Sequence, residues 1–226
     1  MTRQEYAEIE KYMLTQMQDS SHDSHHVYRV LNFALDIAGH IDAVDVDVLL
    51  AACLLHDIGR ERQFANPGLC HAQIGGKMAY GYLIERGWNE KKAAHVRDCI
   101  SSHRYRGDNP PISLEAKILF DADKLDVSGA LGVARTLIYQ GQVGASLYIL
   151  EGDENIIVDE RAAEVSSFFQ EYNYKLKNVY DSFYTEHAKE IATGRQKTAV
   201  DFYNGLYAEI SGNYENGIKK YIEFIE

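Results

Sequence analysis

Apolar residues recur at helical spacing along most of this chain. Val27, Val30, Leu31, Ala34, Ile37 and Ala38 mark one face of a helix that Ser24 can cap. The run from about 45 to 57 is apolar nearly all round, which predicts a buried central helix. The same reading predicts helices over 3–18, 72–86, 90–102, 113–140, 159–192 and 196–224. Period-two alternation is nearly missing: the strand candidates are Ser146–Leu150 and Ile156–Val158, in a Gly-punctuated stretch from Gly141 to Asp159 that reads as a surface connection. Val165, Phe168, Phe169, Tyr172, Leu176, Val179, Tyr180, Phe183, His187 and Ile191 form an aromatic stripe, read as core packing with a homodimer face as the alternative. The fold class expected is all-α, a single compact helical bundle over 1–226, with a core at about 20–140 and C-terminal helices at about 159–224 packed on it.

Charge and cysteine usage narrow the function classes. The 226 residues carry a formal net charge of −11, which argues against wrapping a nucleic-acid polymer, whose binding needs clustered Lys and Arg. A small anionic substrate remains compatible if positive charge is focused locally. Cys53, Cys70 and Cys99 lack CxxC spacing, so neither a disulfide framework nor a thiolate zinc site is expected, and a reducing cytoplasm suits them. No stretch approaches the ~20 apolar residues needed to span a bilayer, so no membrane partner is expected.

Chemistry concentrates at His56-Asp57, two metal-capable side chains where the apolar run stops. Neighbouring residues on a helix diverge by about 100°, so both can reach one ion only near a helix end. Gly59 is expected to supply that end in a left-handed cap. A lone His-Asp pair proves little, and His22-Asp23 is a second one. His26 upstream and Asp123 downstream complete an H…HD…D set of two imidazoles and two carboxylates. Such a nitrogen and oxygen set suits Mn, Fe, Co, Ni or Mg, with positions left over for water and a phosphate oxygen.

The order His26, His56-Asp57, Asp123 resembles the metal-dependent HD-domain phosphohydrolases. HDSHHVYRV (22–30), LLHDIGRE (54–61), HAQIGGKMA (71–79), ISSHRYRG (100–107) and DADKLDVSGALGVART (121–136) are similar to one bacterial branch that includes nucleotide pyrophosphohydrolases, and the likeness continues through YKLKNVYDSFYTEHAKEIATGR (174–195). The resemblance implies one divalent ion held by His26, His56, Asp57 and Asp123, with a second ion left open. Spacing alone does not separate Asp123 from Asp126, which share a helical face; the resemblance selects Asp123 and leaves Asp126 to orient a metal-bound His. It also implies a small phosphorylated substrate, a nucleotide first of all, and catalytic roles for Asp57, His71, His103 and Lys124. Arg60, Lys77 and Arg104 would meet the phosphates. His71 and His103 are read first as phosphate contacts or proton carriers, with a second metal site as the alternative.

Two departures limit what can be carried over. Stringent-response hydrolases and bacterial deoxynucleotidases place a Glu three residues after the HD Asp, where this chain has Arg60. Cyclic dinucleotide phosphodiesterases need a downstream HHE and GYP signature that Ser102-His103-Arg104-Tyr105-Arg106 does not supply. The reaction expected is cleavage of a nucleoside triphosphate between its α and β phosphates. The alternatives are a phosphomonoesterase or phosphodiesterase, a diiron oxygenase using His26, His56, Asp57, His71, His103 and Asp123, and a silent nucleotide-binding module.

Overall fold

A computed structural model describes residues 1–17, 24–104, 109–152, 155–159 and 166–226. His22-Asp23, Tyr105-Arg106 and Val165 therefore lie outside the described residues. The elements are α1 (Arg3–Gln16), α2 (Ser24–Ala38), α3 (Val46–Leu55), α4 (Arg60–Ala65), α5 (His71–Glu85), α6 (Glu90–Ser102), α7 (Leu114–Asp126), α8 (Gly129–Gln142), β1 (Leu150–Glu151), β2 (Asn155–Ile156), α9 (Phe168–Glu171), α10 (Glu186–Ile210) and α11 (Asn213–Ile225). The all-α class is borne out. The chain divides into two compact units, Met1–Asp126 with Phe183–Ala188, and Val127–Ser182 with Lys189–Glu226.

In the first unit α3 is the hub. Asp45 caps it by accepting the Val48 N–H at 3.3 Å, and Val48, Leu49, Ala51, Ala52, Cys53, Leu54 and Leu55 are all buried. A helix apolar on every side must be surrounded, and α1, α2, α5, α6 and α7 each pack against it. α5 and α6 lie along one another, as do α2 and α7. Asp121, buried on α7, accepts the Tyr184 N–H at 2.9 Å, the Thr185 N–H at 2.7 Å and the Thr185 hydroxyl at 2.7 Å, which fixes the segment entering α10.

Gly59 departs from expectation. Its φ of −86° and ψ of −4° are right-handed, not left-handed. Glycine is required there for close approach: a Cβ would lie 2.2 Å from the His71 carbonyl oxygen and 2.7 Å from the Gly75 nitrogen. The chain is thus pressed onto α5 where the His-Asp pair emerges.

The second unit packs Val133, Ile156, Phe168, Phe169, Tyr172, Leu176 and Ala199 into its own core. The Tyr203 ring lies 5.2 Å from that of Phe169 and 4.4 Å from that of Tyr172. The N-terminal half of the aromatic stripe is therefore core, as read. β1 and β2 form a short antiparallel pair with Leu150 opposite Ile156. Several helix bounds differ from those expected. The 113–140 helix breaks at Val127-Ser128, where Ser128 takes an extended conformation ahead of α8. α9 starts only at Phe168, fixed by a reciprocal Ser167 and Gln170 capping box, and continues through a π turn (Tyr172–Leu176) and a 3-10 turn (Lys177–Asp181). α10 runs unbroken through 193–195, and the chain turns instead at Gly212, whose φ of +73° ends the run before α11. Among the described residues no helix is long and apolar enough to cross a membrane.

Candidate metal centre

Five segments of the first unit deliver the site. His26 lies in the first turn of α2, His56 caps the C-terminal end of α3 with Asp57 next, His71 opens α5, His103 caps α6, and Asp123 and Asp126 lie on α7. All seven side chains are buried. Burying so many polar groups is costly unless they satisfy each other or a ligand.

Each imidazole uses its Nδ1 on an acceptor. His26 Nδ1 lies 2.7 Å from Asp126 Oδ2, His56 Nδ1 2.8 Å from the Cys53 carbonyl, His71 Nδ1 2.6 Å from Gln63 Oε1, and His103 Nδ1 2.6 Å from the Ile100 carbonyl. Arg104 Nη1 stands 3.4 Å from both Gln63 Oε1 and His71 Nδ1, too far to displace the 2.6 Å bond. In its neutral form, with Nδ1 donating, each ring offers an Nε2 lone pair. Those four Nε2 atoms converge: His26 and His56 are 3.3 Å apart, and His71 and His103 are 3.3 Å apart.

Asp57 stands between the two pairs. Its Oδ2 accepts from Arg60 Nε at 2.5 Å and lies 3.5 Å from His26 Nε2 and 3.6 Å from His56 Nε2. Its Oδ1 faces His71 Nε2 at 3.5 Å and His103 Nε2 at 3.7 Å, yet is buried without a hydrogen-bond partner among the described residues. An orphaned buried carboxylate oxygen costs about 1–3 kcal/mol, more when charged, unless a cation meets it. Asp123 Oδ1 approaches His26 Nε2 at 3.3 Å. The donors thus fall into His26, His56, Asp123 and Asp57, His71, His103, with the donor atoms of each group within 4.8 Å of one another. Such a nitrogen and oxygen donor set, with one oxygen left unmet, fits divalent metal.

The electrostatics differ between the two groups. Burial opposes charge on His26, but hydrogen bonds to Asp123 and Asp126 and the Asp57 charge outweigh it, pushing the ring up to about 9. Burial dominates at His71 and His103, pushing them down to about 3 and about 4. Burial alone would raise Asp57 and Asp123, yet the surrounding cationic groups hold both well below the usual carboxylate range. Burial pushes the Cys53 thiol up, and Cys99 up to about 12, so neither offers a thiolate near neutral pH.

The structure gathers His26, His56, Asp57, His71, His103 and Asp123, and sets Arg60 and Arg104 beside them. Lys124 Nζ is 4.0 Å from Asp123 Oδ2. Lys77 is not brought in: it is exposed, in a cleft with Gln73, Tyr80 and Arg97 that none of the clustered residues lines. Two participants were not read from the sequence. Arg29 binds Asp126 Oδ1 through Nε at 2.6 Å, a partnership hinted at by its place three residues after His26. Gln63 had no signal, since it meets His71 only because α4 folds back on α5.

Residues 24–128 match the HD domain model. Bacillus subtilis YpgQ, an uncharacterized protein, is 31% identical over 199 residues, covering 86% of this chain and 87% of its own. The structure of Bacillus subtilis YpgQ in complex with ADP superposes with a TM-score of 0.71 at 24% identity, covering 92% of this chain and 96% of that one. A predicted HD superfamily hydrolase from an uncultured Thermotogales bacterium superposes with a TM-score of 0.60 at 28% identity, covering 92% of each chain. The chain belongs to the HD-domain family of hydrolases.

Proposed function

We propose that this protein is a cytoplasmic, metal-dependent nucleotide phosphohydrolase that cleaves a nucleoside triphosphate between its α and β phosphates, giving monophosphate and pyrophosphate. The observation that carries the metal-dependent hydrolase is Asp57, whose two oxygens face two histidine pairs, one of them without a hydrogen bond among the described residues. The nucleotide reading is supported by the ADP complex of YpgQ.

His26, His56, Asp57 and Asp123 would hold one divalent ion, and Asp57, His71 and His103 have the donors for a second. Bound there, divalent metal would supply an acidified water and a polarised phosphorus. Asp126, Gln63 and the Cys53 and Ile100 carbonyls keep the imidazoles oriented. Arg60 and Arg104 stand beside the cluster with guanidinium groups suited to phosphate oxygens, and Lys124 adds a third cation. His71 and His103 are neutral near pH 7 because of their burial, and rings pushed down so far are weak bases, which suits ligation more than proton transfer.

The test is a panel of ribo- and deoxynucleoside mono-, di- and triphosphates with Mn, Co, Ni and Mg, with products identified. Pyrophosphate with monophosphate supports the reading; orthophosphate alone from monophosphates would make the protein a phosphomonoesterase. The Asp57, His71, His103 group also favours a second reading, a diiron oxygenase. Two irons per chain with oxygen consumption on an organic substrate would establish that reading and remove the first.

A further inference from the structure

A third cluster of donors lies outside that centre. Asp36 lies in the last turn of α2, His40 sits in the turn after the helix, and His187 lies in the first turn of α10. Their donor atoms fall within 4.8 Å of one another. His187 Nε2 is 3.2 Å from Asp36 Oδ2, close to the spacing of about 3.3 Å that two donors take around a tetrahedral ion with bonds near 2.0 Å. The His40 and His187 rings stack with centroids 3.7 Å apart and planes 23° off parallel, so one ring turns about its Cβ–Cγ bond for both in-plane lone pairs to meet a single ion.

Two features make this more than a chance meeting of surface side chains. His40 Nδ1 lies 2.9 Å from the Asp36 carbonyl oxygen, so it donates there and leaves Nε2 as the donor atom for an ion. His187 is positioned from behind: Asp121 grips the backbone of Tyr184 and Thr185, three and two residues earlier. An exposed pair such as Asp36 and His187 contributes little stability by itself. The Asp36 side chain is 53% exposed and that of His187 21%, so water can reach the site and complete a coordination sphere.

We propose that Asp36, His40 and His187 form a surface site for one borderline divalent transition ion of the zinc, nickel and cobalt class, distinct from the centre around Asp57. Two imidazoles among three protein donors select such ions over magnesium or calcium. The ion ties the end of α2 to the start of α10, residues 151 apart in the chain, and so clips the strap Phe183–Ala188 onto its own unit. The inference does not depend on the reaction proposed above.

Equilibrium dialysis of the full chain against zinc, with metal quantified per protein, tests it. Wild type is expected to bind one zinc more than His40→Gln or His187→Gln. Asp36→Asn should weaken that extra equivalent by roughly tenfold or more, since the carboxylate is the one anionic donor. Crystals soaked in zinc should show an anomalous peak bonded to all three residues. Circular dichroism establishes that the variants fold, and manganese binding at the Asp57 centre should be unchanged in His187→Gln. Equal zinc stoichiometry in wild type and His187→Gln would overturn the proposal, as would an extra equivalent indifferent to Asp36→Asn, which would mean histidine-only capture.

Discussion

Asp126 Oδ2 lies 2.7 Å from His26 Nδ1, while its other oxygen takes Arg29 Nε at 2.6 Å. The carboxylate thereby fixes which nitrogen of the neutral His26 ring keeps its proton when an ion binds, and turns Nε2 toward Asp57 and Asp123. Asp126→Asn should lower metal affinity by about 10–100-fold, the usual effect of losing an outer partner of a metal-bound His. Calorimetric titration with manganese measures it, and unchanged affinity would mean His26 needs no such partner.

Asp57→Ala removes a carboxylate that faces both histidine pairs. Turnover should fall by about 10³-fold, in line with loss of a principal charge-stabilising group. Bound metal per chain should fall with it. A variant that keeps full turnover would identify the protein as acting elsewhere.

Gln63→Ala deprives His71 of its 2.6 Å acceptor and should weaken metal at the Asp57, His71, His103 group by roughly tenfold, leaving the His26, His56, Asp123 group unchanged. Gln63→Glu keeps an acceptor oxygen and should retain affinity. Metal titrations of both variants separate orientation from packing.

Metal binding should expel protons through His26. Its ring, held up to about 9, is protonated at neutral pH, whereas an ion needs the neutral ring. Affinity should therefore drop about tenfold for each pH unit below that value, one proton leaving per ion. His71 and His103, pushed down to about 3 and about 4, are already neutral and release none. Calorimetry in two buffers of different ionisation heat counts the protons.

Gly59→Ala forces a methyl group into the His71 carbonyl and the Gly75 nitrogen, both backbone atoms. A loss of about 1–3 kcal/mol is expected from overpacking, or ~2–4 °C in Tm per kcal/mol for a chain of this size. Thermal denaturation checks this, and activity should fall further than stability because both His56-Asp57 and His71 adjoin the contact.

Local patterns settled what local patterns can encode. The apolar run before His56 could be nothing but a surrounded helix, and His26, His56-Asp57 and Asp123 follow the order that resembles the HD-domain hydrolases, where spacing alone leaves Asp123 and Asp126 equivalent. Bounds between 113 and 210 were misplaced because Val127-Ser128 and Gly194 carry no decisive local signal, so packing chose which of them breaks a helix. Gly59 shows the same limit: its type was legible as a turn, but its reason, contact with α5, is a tertiary fact. The position of Asp57 between two histidine pairs, the partnership of Gln63 with His71, and the exclusion of Lys77 likewise depend on how five segments converge. Periodicity and caps act within a few residues along the chain, whereas distances between side chains tens of residues apart are fixed only when the helices pack.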